Sequence, residues 1–166
     1  MRVPVWRQLA DSLTDGAILG LRATVDQEEI ETARLAAKKA HDPRVRTFTK
    51  SLLRGHTNAQ VSATELAKRW KIPLRIFADS DSAIVRRHRA DMTRLRALKG
   101  ALFDRVFLES VRDDHANEIA KDTSWYLPAA QNDSVKMYLR EIMPTLRKHL
   151  ATAEKLLDDR KIAAAH

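Results

Sequence analysis

A chain of 166 residues with 44% hydrophobic and 31% charged residues is long enough for one domain with a true core and too apolar for disorder. It has no cysteine, which excludes disulfides, thiolate nucleophiles and cysteine-held zinc. The net charge of +8 raises the question of an anionic partner, and four glycines and five prolines leave long stretches free for helix.

Residues 1–14 read as an N-terminal segment. The opening MRVPVWRQLADSLTDG lacks the long apolar run of a secretory signal, and no stretch approaches the roughly 20 apolar residues of a membrane span. A first helix is predicted from Asp15 to Ala40, with Asp15 as its N-cap and "HDP" as its stop. The second runs from Asp42, as N-cap, with Pro43 at the first helical position, to Trp70. "KIPLRIFADSDS" has no helical face and is read as a connection. Asp81 or Ser82 can cap an accessory helix from Ala83 to Leu98, whose arginines Arg86, Arg87, Arg89, Arg94 and Arg96 offer a basic face to an anionic partner. No aromatics are interleaved there to stack on bases, so nucleic acid is disfavoured, and a solvated face is the plainer reading. After Gly100, the third main helix runs from Ala101 to Tyr126, and "LPAAQND" forms a turn. Asn132 or Asp133 caps the fourth, which runs to Asp158 with a kink expected at Pro144; residues 159–166 form a frayed tail. The expected fold is all-α: an antiparallel, ferritin-like four-helix bundle over 15–158, with the accessory helix between the second and third main helices.

Each main helix has an inward row at steps of three and four. The second gives Val45, Phe48, Leu52, His56, Ala59, Ala63, Leu66 and Trp70; the fourth gives Val135, Leu139, Ile142, Leu146, His149, Ala153 and Leu156. The third gives Ala101, Asp104, Leu108, Val111, His115 and Ile119, and the first gives Ile18, Val25, Glu29, Ala33, Ala36 and Ala40. Every row thus contains a side chain able to ligate a metal. Glu29 and His56 lie about 12 and 14 residues from the first turn, His115 and His149 about 15 and 17 from the last, so at 1.5 Å per residue each pair sits within roughly 3–5 Å of one level.

Neutral imidazole suits zinc, copper, iron and nickel, and a carboxylate adds charge. Glu29, His56, His115 and His149 could therefore hold one transition metal ion: zinc, iron, copper or manganese. The competing reading is a metal-free polar network, with Glu29 paired to a protonated histidine. No residue three before a histidine is a glutamate (Leu53, Arg112 and Leu146 stand there), so a di-iron Glu-x-x-His site is not expected. Asp104 lies roughly 16 Å along the axis from His115, where it can cap or pair with an arginine. Asp114 and Glu118 are expected to face solvent, with a supporting role behind His115 as the alternative. His88 is a lesser ligand candidate on the accessory helix, and His41 faces solvent or caps. Trp6, Trp70 and Trp125 are expected to plug the bundle's ends. No phosphate loop, nucleophile elbow or HExxH is present, so no catalytic residue is assigned.

The blocks "EIETARLA", "FTKSLLRGHTNAQ", "LKGALFDRVFLESVRDDH" and "MPTLRKHLATA" carry a resemblance. Over Asp15 to Leu157 the chain resembles the bacterial domain of unknown function 4142 family, which is grouped with ferritin-like four-helix bundles. The resemblance implies a fold and no established activity. It also implies an aspartate before the second-helix histidine, where this chain has Gly55. Its members are commonly exported or anchored in the cell envelope, which implies a periplasmic location if a leader has been removed and a cytoplasmic one otherwise. Two functions are carried forward: a metal-binding or stress-related envelope protein, and a structural or interaction protein whose histidines only knit the core.

Overall fold

The computed structural model describes residues 13–74 and 83–164, with 160–164 in backbone alone. Among them the chain is all-α, with five long helices: α1 (Asp15–Lys39), α2 (Pro43–Trp70), α3 (Ala83–Ala97), α4 (Gly100–Lys121) and α5 (Asp133–Ala164). No described helix is long and apolar enough to cross a membrane. Trp6 and the caps expected at Asp81 or Ser82 lie outside the described residues.

The helix starts follow from capping chemistry. Thr14, not Asp15, caps α1, because its Oγ1 accepts the Ala17 N–H at 3.1 Å. Asp15 acts at longer range: its carboxylate accepts the backbone N–H groups of Gln131 (2.9 Å) and Asn132 (3.0 Å), tying the start of α1 to the turn before α5. A Cβ at Gly16 would collide with the Pro73 carbonyl oxygen, so the chain leaving α2 lies directly against α1. Asp42 and Pro43 start α2 as expected. Asp104 caps, as one expectation had it, accepting from the His41 (2.9 Å) and Asp42 (2.8 Å) N–H groups.

Two boundaries differ from the sequence reading. Beyond α4 the chain does not turn at Leu127; one π-helical segment, Asp122–Tyr126, leads into a further helical turn, Leu127–Ala129. Pro128 is tolerated because it sits at the start of that turn, where no intrahelical donor is required. Asn132 then caps α5, its Oδ1 accepting the Ser134 N–H at 2.8 Å. α5 continues to Ala164, past the expected end at Asp158 and through Pro144.

Packing divides the interior into three levels. One apolar cluster joins Ala33 and Ala36 of α1, Val45 to Leu52 of α2, Phe103 to Val111 of α4 and Ala153 to Leu157 of α5. A second joins Ile18 and Leu19, Ala63 and Ala67, Tyr126 to Ala130, and Val135 to Leu146. Each fully buried Leu, Phe or Ile contributes about 1.5–3 kcal/mol. Between the clusters lies a polar level: Arg22, Asp26, Glu29, His56, His115, Glu118, Asp122 and His149, all buried. α3 lies outside, burying only Met92 and Leu95, and its five arginines are exposed. Trp70 and Trp125 are 52% and 56% exposed. They plug nothing; the helix ends are closed instead by smaller residues such as Ala67 and Ala130.

Candidate metal centre

The polar level begins with three histidines. His56, His115 and His149 are each no more than 2% exposed. Their ring centroids form a near-equilateral triangle with sides of 5.2, 5.2 and 5.3 Å. His115 Nε2 lies 3.2 Å from His56 Nε2 and 3.2 Å from His149 Nδ1, and one ring nitrogen from each fits within 4.8 Å of the others. A tetrahedral ion with metal–nitrogen bonds of about 2.0–2.1 Å sets neighbouring nitrogens about 3.3 Å apart.

The outward nitrogens are already committed. His56 Nδ1–H donates to Asp26 Oδ1 at 2.9 Å. His115 Nδ1–H donates to the Val111 carbonyl at 2.9 Å, since a carbonyl can only accept. The Ser51 backbone takes a hydrogen bond from the His149 ring. His115, with its proton on Nδ1, turns the lone pair of Nε2 toward His56 Nε2 and His149 Nδ1. Burial holds His115 well below the ordinary histidine range, reinforced by its two ring neighbours. Burial, with His56 beside it, brings His149 down to about 4. Both rings are neutral at physiological pH, which is the ligating form.

Behind His56 stands a charged network that the sequence reading did not anticipate. Arg22 is fully buried, 3.5 Å from Asp26, 2.9 Å from Glu118 and 3.7 Å from Asp122. Burial disfavours its charge, but the surrounding carboxylates outweigh this and hold it above its ordinary value. Asp26 thereby joins Arg22 to His56, fixing the ring from behind as outer carboxylates do for metal-bound histidines. Burial raises Asp122 to about 6, against the pull of Arg22.

Glu29, expected in the same set, lies on this level and is 8% exposed. It is not part of the three-residue group that could share an ion. Burial lifts it to about 7, with His56 pulling the other way. Glu118 does not face solvent as expected: it is buried on Arg22, while Asp114 is half-buried. His88 is half-buried and pairs with Glu31 at 3.2 Å, away from the cluster.

Residues 4–156 match the family described as a domain of unknown function (DUF4142). The chain belongs to this family. Comparison with curated proteins and with solved structures finds no match for it. In this DUF4142 chain Gly55 has a direct steric reason. A Cβ there would lie 2.7 Å from His149 Cε1, 3.1 Å from His149 Nε2 and 3.0 Å from Thr145 Cγ2. The glycine lets the α5 histidine lie against the α2 backbone and complete the triangle. A cavity of about 200 Å³ between α2 and α5 reaches Gly55 and His56 and offers an approach to the cluster.

Proposed function

We propose that this DUF4142 protein binds one transition-metal ion through His56, His115 and His149, within an antiparallel, ferritin-like four-helix bundle. The observation that carries the reading is three buried ring nitrogens, two of them at 3.2 Å from the third, converging where the outward nitrogens are engaged. His115 Nε2 has one lone pair and two ring nitrogens at 3.2 Å, so without an ion it can accept a hydrogen bond from only one of them, whereas a bound ion engages all three rings. The bundle arrangement is supported by the order of the clusters along the chain: α1 and α5 pass from the second apolar cluster through the polar level to the first, α2 and α4 the reverse way. Three imidazoles select borderline ions such as zinc, copper, nickel or iron(II) over hard ones, and leave a fourth position open. Asp26 and Glu29 supply negative charge at the same level, with Glu29 as a carboxylate near the ion rather than a member of the triangle. An envelope role in metal binding or stress response is the corresponding biological reading.

The test is calorimetric titration of chelator-stripped protein with Zn²⁺ and Co²⁺, alongside His115→Ala. One equivalent, lost in the variant, supports the site. If the native protein takes up neither ion, the histidines are a metal-free network that holds the core together.

A further inference from the structure

The two sides of the histidine triangle differ. Toward the first apolar cluster, the next inward residues are Leu52 on α2, Val111 on α4 and Ala153 on α5, each no more than 1% exposed. Phe48 adds a T-shaped ring contact to His149, with centroids 6.1 Å apart. That side is packed tight, and none of these four side chains has a polar atom. Toward the second cluster the surroundings open. The α2–α5 groove begins here, running from Gly55 and His56 past Ala59 and Ser62, the following turns of α2, and past Leu146 and Ile142, the turns of α5 before His149. Tyr138 ties the two walls together, its hydroxyl donating to the Ala59 carbonyl at 3.3 Å. Three imidazoles leave one position of a tetrahedral ion free, so the groove side is where a fourth ligand can reach it.

The groove's size and charge limit what that ligand can be. Its volume is about 200 Å³. At about 30 Å³ per water it has room for about six waters, whereas drug-sized ligands need about 300–1,000 Å³. Among the described residues, no lysine or arginine lines it, and Glu141, exposed at the rim, is the one carboxylate. An anion would pass that carboxylate with no cation to compensate. Exposed Asn58, Ser62 and Thr145 give the mouth neutral hydrogen-bonding groups, while the walls are apolar.

Building on the three-histidine metal centre above, we propose that the α2–α5 groove is its ligand site. It admits one small uncharged molecule and seats a nitrogen or oxygen lone pair of that molecule on the open position of the ion held by His56, His115 and His149. The apolar walls exclude bulk water from the path, the hydroxyl and amide groups at the mouth replace the ligand's hydration, and Glu141 turns anions away.

The experiment loads the full chain with Co²⁺ and titrates it at about pH 8.5 with imidazole, uncharged there, and separately with thiocyanate, a small anion. The visible absorption bands of the bound cobalt report ligand entry. Imidazole should shift them saturably, and thiocyanate should bind about tenfold more weakly. Ser62→Trp, at an exposed position on the groove, should weaken imidazole about tenfold or more. Val61→Trp, next to it, exposed and off the groove, should leave imidazole affinity unchanged. Neither variant should alter cobalt stoichiometry, and circular dichroism verifies that both are folded. Cobalt bands unmoved by imidazole, unchanged affinity in folded Ser62→Trp, equal losses in the two tryptophan variants, or thiocyanate binding as tightly as imidazole would each overturn the proposal and leave the histidine centre standing. Failure of the protein to take up Co²⁺ at all would overturn that centre, and the ligand site with it.

Discussion

Gly55→Ala tests how the triangle is built. The new methyl carbon would start 2.7 Å from His149 Cε1, 3.0 Å from Thr145 Cγ2 and 3.1 Å from His149 Nε2. Carbon contacts are comfortable at about 3.5–4.0 Å, so the imidazole must retreat by roughly 1 Å. A metal site tolerates only about 0.2 Å in its bond lengths. His149 then leaves the coordination set while His56 and His115 stay. The expected result is a loss of about 10–100-fold in Zn²⁺ affinity, measured by competition with a chelating dye. The metal-free protein should change much less. Alanine within a helix gains about 0.5–1 kcal/mol over glycine, against about 1–3 kcal/mol for overpacking, a net loss of about 2.5 kcal/mol or less. A folded Gly55→Ala protein that binds zinc as tightly as wild type would refute the claim that close approach of α5 to α2 places the third ligand.

Asp26→Asn keeps the size of the side chain and removes its charge from behind His56; the metal-free protein should lose stability because Arg22 loses a buried partner, and zinc affinity of the folded variant should fall about 10–100-fold, equal affinity showing that Asp26 does not support the ring. Arg22→Met removes the buried cation shared by Asp26, Glu118 and Asp122, and urea melts should show a loss of about 3–5 kcal/mol, a cost below about 1 kcal/mol being incompatible with the network described. Burial and its acidic neighbour Glu29 raise Glu28 to about 8 in the folded state, from an ordinary 4.5, so the folded chain holds a proton that the unfolded chain has released. Metal-free protein should therefore lose stability as pH rises from 4.5 toward 8, and Glu28→Gln should flatten that limb; a melting profile unaffected by the substitution would contradict it. His149 acts on the acid side with the opposite sign. Its folded value of about 4 lies below the ordinary 6.5, so its share of stability, on the order of 3 kcal/mol, is present above pH 6.5 and lost between 6.5 and 4, and His149→Gln should reduce this acid limb and leave the part that His115 contributes.

The three histidines were legible because each interrupts an apolar row, and helical spacing alone put them inside. All seven residues of the α5 row are buried, His149 among them. Counting residues from the turns was enough to set the three at one level, since helix rise is nearly constant. The rest of the level was hidden for one reason. A search for apolar rows assigns charged residues to solvent, which is correct for most surface helices and fails for Arg22, Asp26, Glu118 and Asp122, each of which is buried with a charged partner. From His115, Glu118 and Ile119 are both allowed next steps; an apolar row continues to Ile119, whereas the structure buries Glu118 and leaves Ile119 partly buried. The step Ile18, Arg22, Asp26, Glu29 on α1 has the same helical spacing as the apolar row and carries the arginine that neutralises the inward carboxylates. The helical continuation through Leu127–Ala129 was masked by Pro128, which reads as a stop unless it falls on a first turn.

The most direct test of the central claim is X-ray absorption at the metal edge of protein purified without a metal-affinity column and loaded with Zn²⁺, with elemental analysis of the same sample. The account predicts close to one zinc per chain and a first shell containing three imidazole nitrogens at about 2.0–2.1 Å. Less than a tenth of an equivalent of any transition metal after loading, or a first shell of oxygens without imidazole scattering, would contradict it.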